Sequence, residues 1–390
     1  MISILKMQIK EAHSLLQPFE KPIYITQPLL PNIDDFNEMI KLIWESNQLS
    51  NNGNMVKQLE KELSNFLGAD YLSVFANGTI ALEIACKALR LSGEVITTPF
   101  TFAATVNSLV WNGIKPVFCD IEENSLNINA EMIEPLITEN TTAIMPVHVF
   151  GNPCDVEKIQ KIADKYKLKV LYDAAHTFGV KVNDKPIASF GDISMFSFHA
   201  TKIYHTIEGG ALSFNTPELK NRAELLRNFG LLENGNVIEP GTNGKLNEVQ
   251  ASVGILLLKK VESEIIRRKE ITNLYRNYLK NVKGITLNKD IDGVLHNYPY
   301  FVIRVDKKEF GLSRDELFEK LKEYNIMSRK YFYPLCSNFD CYKDLPSASK
   351  SKLPVANKVA ETVLSLPLYG NLNDCDVEKI CKIILSEGHL

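Results

Sequence analysis

Between residues 55 and 200 the apolar positions of the chain switch repeatedly between two periods. In "VKQLEKELSNFLG" they recur at helical spacing, and Gly68 supplies a natural C-terminal stop. Short, almost continuous apolar runs follow: "YLSVFA", "EVITT", "PVFCDI", "TAIMPVHVF", "LKVLYDAA" and "DISMFSF". Their length and composition predict strands buried on both faces. Between them lie the predicted helices "TIALEIACKAL" and "VEKIQKIADKY", the second capped by Asp155. This strand–helix rhythm predicts an α/β fold, a mainly parallel sheet with helices on both faces. Past about residue 245 the rhythm stops. "NEVQASVGILLLKKVESEIIRRKEITNLYRNYLKNV" predicts one long helical region with room for a kink. A strand "YFVIRV", a capping box at Ser313 and Glu316 opening "DELFEKLKEY", and a helix around "NKVAETVL" complete a smaller α+β part. The expected organisation is an N-terminal segment 1–35, a large α/β domain 36–260 and a small domain 261–390.

Composition narrows the class. At 390 residues and 45% hydrophobic the chain can bury a large core. The 44 basic and 47 acidic residues are interspersed, with a net charge of -3, so neither nucleic acid nor an anionic membrane is an expected partner. Seven cysteines without framework spacing read as reduced thiols of a cytoplasmic protein. Cys336 and Cys341, five apart, match no common metal pattern and are expected to be structural. No metal site is expected. The opening "MISILKMQIKEAHSLLQPFEK" is broken by Lys6, Lys10 and Glu11 and does not read as a signal peptide. Its first 20 residues are either an upstream start, with Met7 as an alternative, or a loose helix. No run approaches the roughly 20 apolar residues of a membrane span.

Three predicted strand ends carry unusual residues, and open α/β sheets bind ligands beyond the carboxyl ends of their strands. After "YLSVFA", Asn77-Gly78-Thr79 opens a helix. That turn is either ordinary capping or a phosphate seat, with Gly78 allowing close approach and Thr79 adding a hydroxyl. After "VLY" stands Asp173, either a loop cap or a buried carboxylate needing a cationic partner, with His176 three residues on. After "DISMFSF" comes Lys202, among Ser197, His199 and Thr201 and ahead of Gly209-Gly210. Lys202 is either a solvated surface group, as most lysines are, or a buried functional amine, and its setting at the end of an apolar strand favours the second. A phosphate seat, an acid for a ring nitrogen and an imine-forming amine are the three handles of pyridoxal 5′-phosphate. No GxGxxG follows a strand, which disfavours a nicotinamide enzyme.

The segments "FANGTIAL", "EVITTPFTFAAT", "NGIKPVFCDI", "AIMPVHVFGNPCDV", "LYDAAHTFGV", "GDISMFSFHATK", "EGGAL" and "GTNGKLNEVQA" resemble, in order, the motifs of the DegT/DnrJ/EryC1/StrS nucleotide-sugar aminotransferases. The resemblance runs from about residue 25 to the C-terminus. It implies a fold-type I pyridoxal-phosphate enzyme with a seven-stranded sheet, acting as a homodimer with shared active sites. By motif position it implies Lys202 as the imine-forming lysine, Asp173 at the pyridine nitrogen and His176 near the ring hydroxyl. Many family members carry Gln in place of His176. Phe102 matches the aromatic stacked on the ring. Gly78, Thr79 and Ser197 match phosphate contacts, and Asn243 and Lys245 in "GTNGK" match the segment reaching the neighbouring subunit's phosphate. Relatives that remove a sugar hydroxyl carry histidine at the lysine position, so Lys202 implies transamination. The form "SFHATK…TIEGGAL" implies dTDP-4-keto-6-deoxyglucose as acceptor, converted to dTDP-4-amino-4,6-dideoxyglucose with L-glutamate as donor. Action at C3, or on a UDP-linked sugar, is the alternative within the family; C3 enzymes tend to carry a Pro-Gly-Lys version of the lysine motif. A non-catalytic regulator retaining the fold is the alternative outside it. For the substrate, His199 either makes contact or orients its loop, Glu208 either accepts from the sugar or serves a turn, and Tyr331 and Tyr333 either line the cleft or fill the small-domain core.

Overall fold

A computed structural model describes residues 16–388; most of the expected N-terminal helix or alternative start lies outside them. Seven strands form the central sheet: β1 (Tyr71–Phe75), β2 (Glu94–Thr97), β3 (Lys115–Phe118), β4 (Thr141–Met145), β5 (Lys169–Asp173), β6 (Ile193–Ser197) and β7 (Gly210–Phe214). Their spatial order is β1-β7-β6-β5-β4-β2-β3. All neighbours run parallel except β7, which is antiparallel to both β1 and β6.

The continuous apolar runs have a direct cause. Leu72, Val74, Ile96, Ile144, Val170, Tyr172 and Phe196 face one hydrophobic core. Their neighbours Phe75, Val95, Ala143, Met145, Leu171 and Met195 face another across the sheet. Alternation is therefore invisible, because both sides are inside. The helix Asn54–Leu67 ends on Gly68 at φ 59°, and Asp155 Oδ1 accepts from Lys158 N at 3.0 Å at the start of the helix Val156–Tyr166.

Two helical expectations gain sharper bounds. The long helical region is two helices, Glu248–Leu258 and Val261–Leu279. The first buries Ala251, Val253, Ile255 and Leu257 in the core of the large sheet. The second buries Ile271, Tyr275 and Leu279 with Val377, Ile380 and Ile384 in a separate core. A straight helix could not serve both cores, and the chain bends at Lys259–Lys260. The helix around "NKVAETVL" spans Pro354–Thr362, and the β-branched Val363 begins a strand, Val363–Leu366. That strand joins Ile285–Leu287 and Phe301–Val305 in an antiparallel three-stranded sheet. The capping box is present, with Ser313 N donating to Glu316 Oε2 at 2.7 Å and Glu316 N to Ser313 Oγ at 3.2 Å.

Register brings the strand ends together. Gly210 pairs with both Phe75 and Ser197, and Asp173 pairs with Met195. The last residues of β1, β5 and β6 thus lie within two residues of one row across the sheet. A buried network fixes the segment facing that row. Arg268 donates to Glu264 Oε1 at 2.6 Å and to the carbonyls of Pro299 (3.3 Å) and Leu368 (3.2 Å). Glu264 also accepts from Gly370 N at 2.9 Å.

Candidate active site

β1 ends at Phe75, and Asn77 caps the helix Gly78–Ala88 by accepting Ile80 N on its side chain at 2.8 Å. Its carbonyl accepts Ala81 N at 3.2 Å. Among the described residues the N–H groups of Gly78 and Thr79 have no partner, so the helix mouth offers two free donors and its positive dipole end. A Cβ at Gly78 would lie 3.2 Å from both Met195 Sδ and Ser197 Cβ. Side chains at the two neighbouring glycines would also clash. A Cβ at Gly210 would meet the Asn77 carbonyl and Gly78 Cα at 2.9 Å, and one at Gly209 would strike Thr206 Oγ1. Gly210 therefore lets β7 press against the Asn77–Gly78 turn, and Gly209 lets the chain pass Thr206.

Asp173 ends β5, nearly fully buried. Thr105 Oγ1 donates to its Oδ2 at 2.7 Å and Ala175 N to its Oδ1 at 3.1 Å. Burial raises its pKa above the usual aspartate value, opposed by these two hydrogen bonds and by the charge of Lys202. Lys202 lies in the loop after β6, where its own N–H bonds the His199 carbonyl at 2.9 Å. Burial pulls its amine down to about 8, opposed by the charges of Asp173 and Tyr331. Among the described residues Lys202 makes neither a side-chain hydrogen bond nor an ion pair, although it shares a cavity with Asp173. An amine and a carboxylate that face one space without touching leave room for something between them.

That cavity, of about 260 Å³, brings together Gly78, Thr79, Phe102, Asp173, His176, Ser197, His199, Lys202, Glu208 and Tyr331. Phe102, the residue before the helix Ala103–Trp111, is 64% exposed and lines the cavity with its aromatic side chain. His176 Nδ1 accepts from Phe150 N at 3.2 Å, which leaves Nε2 to carry the proton. Burial, then the charge of Lys202, holds that imidazole neutral. The His176 ring lies parallel to Phe332 at 6.0 Å and edge-on to Tyr300 at 4.9 Å. His199 is tied to its own loop: Thr201 N donates to Nδ1 at 3.2 Å, and Nε2 stands 3.6 Å from Glu208 Oε1.

Three residues singled out in the sequence do not line this cavity, and two of them, Asn243 and Lys245, were expected at the neighbouring subunit's site. Tyr333 does not line the cavity; its half-exposed ring sits 4.7 Å from the Arg314 guanidinium. Lys245 Nζ bonds Asn228 Oδ1 at 2.9 Å, and Asn243 forms a backbone bridge with Asn228. Neither reaches the cavity of its own chain. Of the paired cysteines Cys336 is buried but Cys341 is exposed, so packing accounts for only one. The sequence reading gave no role to Thr105, Tyr300 or Phe332. Thr105 stood within "TFAAT" as a readable hydroxyl, whereas Tyr300 and Phe332 arrive from the far end of the chain and had no local signal.

A family model described as the DegT/DnrJ/EryC1/StrS aminotransferase family matches residues 32–385. The chain is 46% identical over 365 residues to a dTDP-4-amino-4,6-dideoxy-D-glucose transaminase of Shigella dysenteriae, covering 94% of this chain and 99% of that protein. It is likewise 46% identical over 371 residues to a transaminase of the same name from Escherichia coli, with coverage of 94% and 99%. The crystal structure of DesI in the presence of its TDP-sugar product superposes with a TM-score of 0.90 at 32% identity, covering 95% of this chain and 93% of that one. Pyridoxal 5′-phosphate is the cofactor of such enzymes, and the residues present fit it. An unpaired buried amine, an exposed phenyl side chain, and a glycine-lined helix mouth with free N–H groups match its aldehyde, ring and phosphate.

Proposed function

We propose one reaction for this chain, which belongs to the DegT/DnrJ/EryC1/StrS aminotransferase family: transfer of the amino group of L-glutamate to C4 of dTDP-4-keto-6-deoxyglucose. The observation that carries it is the pair of 46%-identical relatives, matched over nearly their whole length and both named for the 4-amino product. Lys202 at the position of the imine-forming lysine supports it.

When bound, pyridoxal 5′-phosphate supplies an aldehyde that carries the amino group and a ring that takes up electrons. Lys202 would hold the aldehyde carbon, Asp173 the ring nitrogen, and Phe102 a face of the ring. Gly78, Thr79 and Ser197 would hold the phosphate. Lys202 Nζ is the base for the proton on the donor's α-carbon, because burial lowers its amine to about 8 and leaves a useful neutral fraction near pH 7. Asp173, held by Thr105 and Ala175, keeps a negative charge aimed where a protonated ring nitrogen would lie. The aromatic wall of Phe332, Tyr300 and Tyr331 excludes water. His199 and Glu208 orient one another and present a polar edge to the sugar.

The active unit of this reading is a homodimer in the cytoplasm. The exposed Trp111, Val237 and Ile238 support a second copy. Asn243 and Lys245, which stay clear of their own cavity, are then available to the neighbouring subunit's phosphate site. The test is a substrate panel: dTDP- and UDP-linked 4-keto-6-deoxy sugars, and a 3-keto sugar, each with L-glutamate, with the amine located by NMR. An amine at C4 of the dTDP sugar is expected. Amination at C3, or a preference for the UDP sugar, overturns the assignment.

A further inference from the structure

We propose that Arg329 binds a carboxylate of the amino donor, in a side chamber that adjoins the main cavity. The proposal rests on the transaminase reading above and adds to it a recognition site for the first substrate. The chamber holds about 60 Å³, and Thr26, Thr201, Tyr300, Arg329 and Tyr331 contribute its polar walls. Thr201, Tyr300 and Tyr331 also line the main cavity, so the two spaces share walls. Lys202 lines that main cavity, so the chamber adjoins the space that holds the amine.

Arg329 is held by its backbone and free at its tip. Its N–H donates to the Ser365 carbonyl at 3.1 Å and its carbonyl accepts Ser365 N at 2.8 Å. Among the described residues its guanidinium makes no hydrogen bond or ion pair. Its basic neighbours are engaged: Lys330 pairs with Asp315, and Arg314 bonds Asp315 and the carbonyls of Ala360 and Val363. Among the described residues no carboxylate lines the chamber, and the hydroxyl of Thr26 adds a donor beside the Arg329 guanidinium, while the Thr201 hydroxyl lies 2.8 Å from His199 Nδ1. A guanidinium fork beside a hydroxyl donor, without an acidic side chain, matches a carboxylate in a two-pronged hydrogen bond. The space suits a carboxylate end but is too small for a nucleoside. L-Glutamate brings two carboxylates to the vicinity of Lys202, whereas the nucleotide sugar must present its ketone there.

The test uses holoenzyme of wild type, Arg329→Gln and Arg329→Lys, titrated calorimetrically with glutarate and, separately, with thymidine diphosphate. Loss of a charge-assisted hydrogen bond predicts that Arg329→Gln weakens glutarate about tenfold or more, with Lys recovering part. Thymidine diphosphate binding should stay within about twofold. KM for L-glutamate should rise in parallel with the glutarate constant while KM for the nucleotide sugar holds. Equal glutarate binding by wild type and Arg329→Gln, no glutarate binding by wild type, or a loss confined to thymidine diphosphate overturns the proposal. A wild type that binds glutarate through Arg329 but aminates no sugar overturns the transaminase reading and leaves the anion site standing.

Discussion

Lys202 has a folded pKa pulled from 10.5 to about 8 by burial. In the cofactor-free protein the unfolded chain therefore binds more protons at this residue than the folded chain does between about pH 8 and 10.5. Its contribution to stability rises with pH through that window and is unfavourable below it. Urea unfolding of cofactor-free wild type and Lys202→Met at pH 7 and pH 10 should show Met favoured at pH 7, with the gap narrowing by pH 10; a constant gap would contradict the buried amine. Thr105 is a second residue-scale lever. Removing its hydroxyl in Thr105→Val takes one hydrogen bond from a buried carboxylate, worth about 1–3 kcal/mol. Cofactor affinity, measured by equilibrium dialysis, should fall about tenfold or more, and unchanged affinity would mean Asp173 does not need that support. Asp173 was legible because it ends an apolar run where a charge is out of place, and Lys202 because it follows such a run by a few residues among Ser197, His199 and Thr201. Thr105 was not, since a threonine inside a helix-opening segment has many ordinary explanations.

The elements most legible in the sequence were β1 to β6, whose apolar runs are unbroken because both sheet faces are covered. The antiparallel β7, "GALSF", escaped: beginning on glycine and carrying a serine, it reads as the tail of a turn. Yet this strand carries Gly210, whose pairing with both Phe75 and Ser197 draws the proposed phosphate seat together. Gly210→Ala would push a methyl against the Asn77 carbonyl and Gly78 Cα, backbone atoms that cannot swing aside. The variant should lose about 1–3 kcal/mol of stability in urea titration and release cofactor more readily. Wild-type stability and retention would show that the contact is slack. The break at Lys259–Lys260 was illegible for another reason. Both halves are good helix, and only the separate cores they enter force the bend.

At the scale of the whole molecule, the α/β architecture follows from the repeated strand–helix pattern, while the meeting of Lys202 with Tyr300 and Tyr331 depends on how the C-terminal third folds back over the sheet. No local pattern encodes that approach; the buried Arg268–Glu264 network, tied to Pro299 and Leu368, helps to hold it. Breaking the network with Arg268→Ala leaves Glu264 buried and unpaired, at a cost of about 3–5 kcal/mol. Chemical denaturation should show that loss together with a reduced kcat, since Tyr300 follows Pro299 directly. A variant of full stability would contradict the role given to the network. Sedimentation equilibrium should give a dimer mass for the wild type, and a monomer that still turned over would remove the neighbouring subunit from the site.

In this reading Lys202 is the amine that holds the cofactor. The decisive experiment is borohydride reduction of the purified, cofactor-loaded protein followed by peptide mass spectrometry. The added mass of reduced pyridoxal phosphate is expected on the peptide containing Lys202 and, at stoichiometric yield, on no other lysine. An unmodified Lys202, or the label on a different lysine, would contradict it.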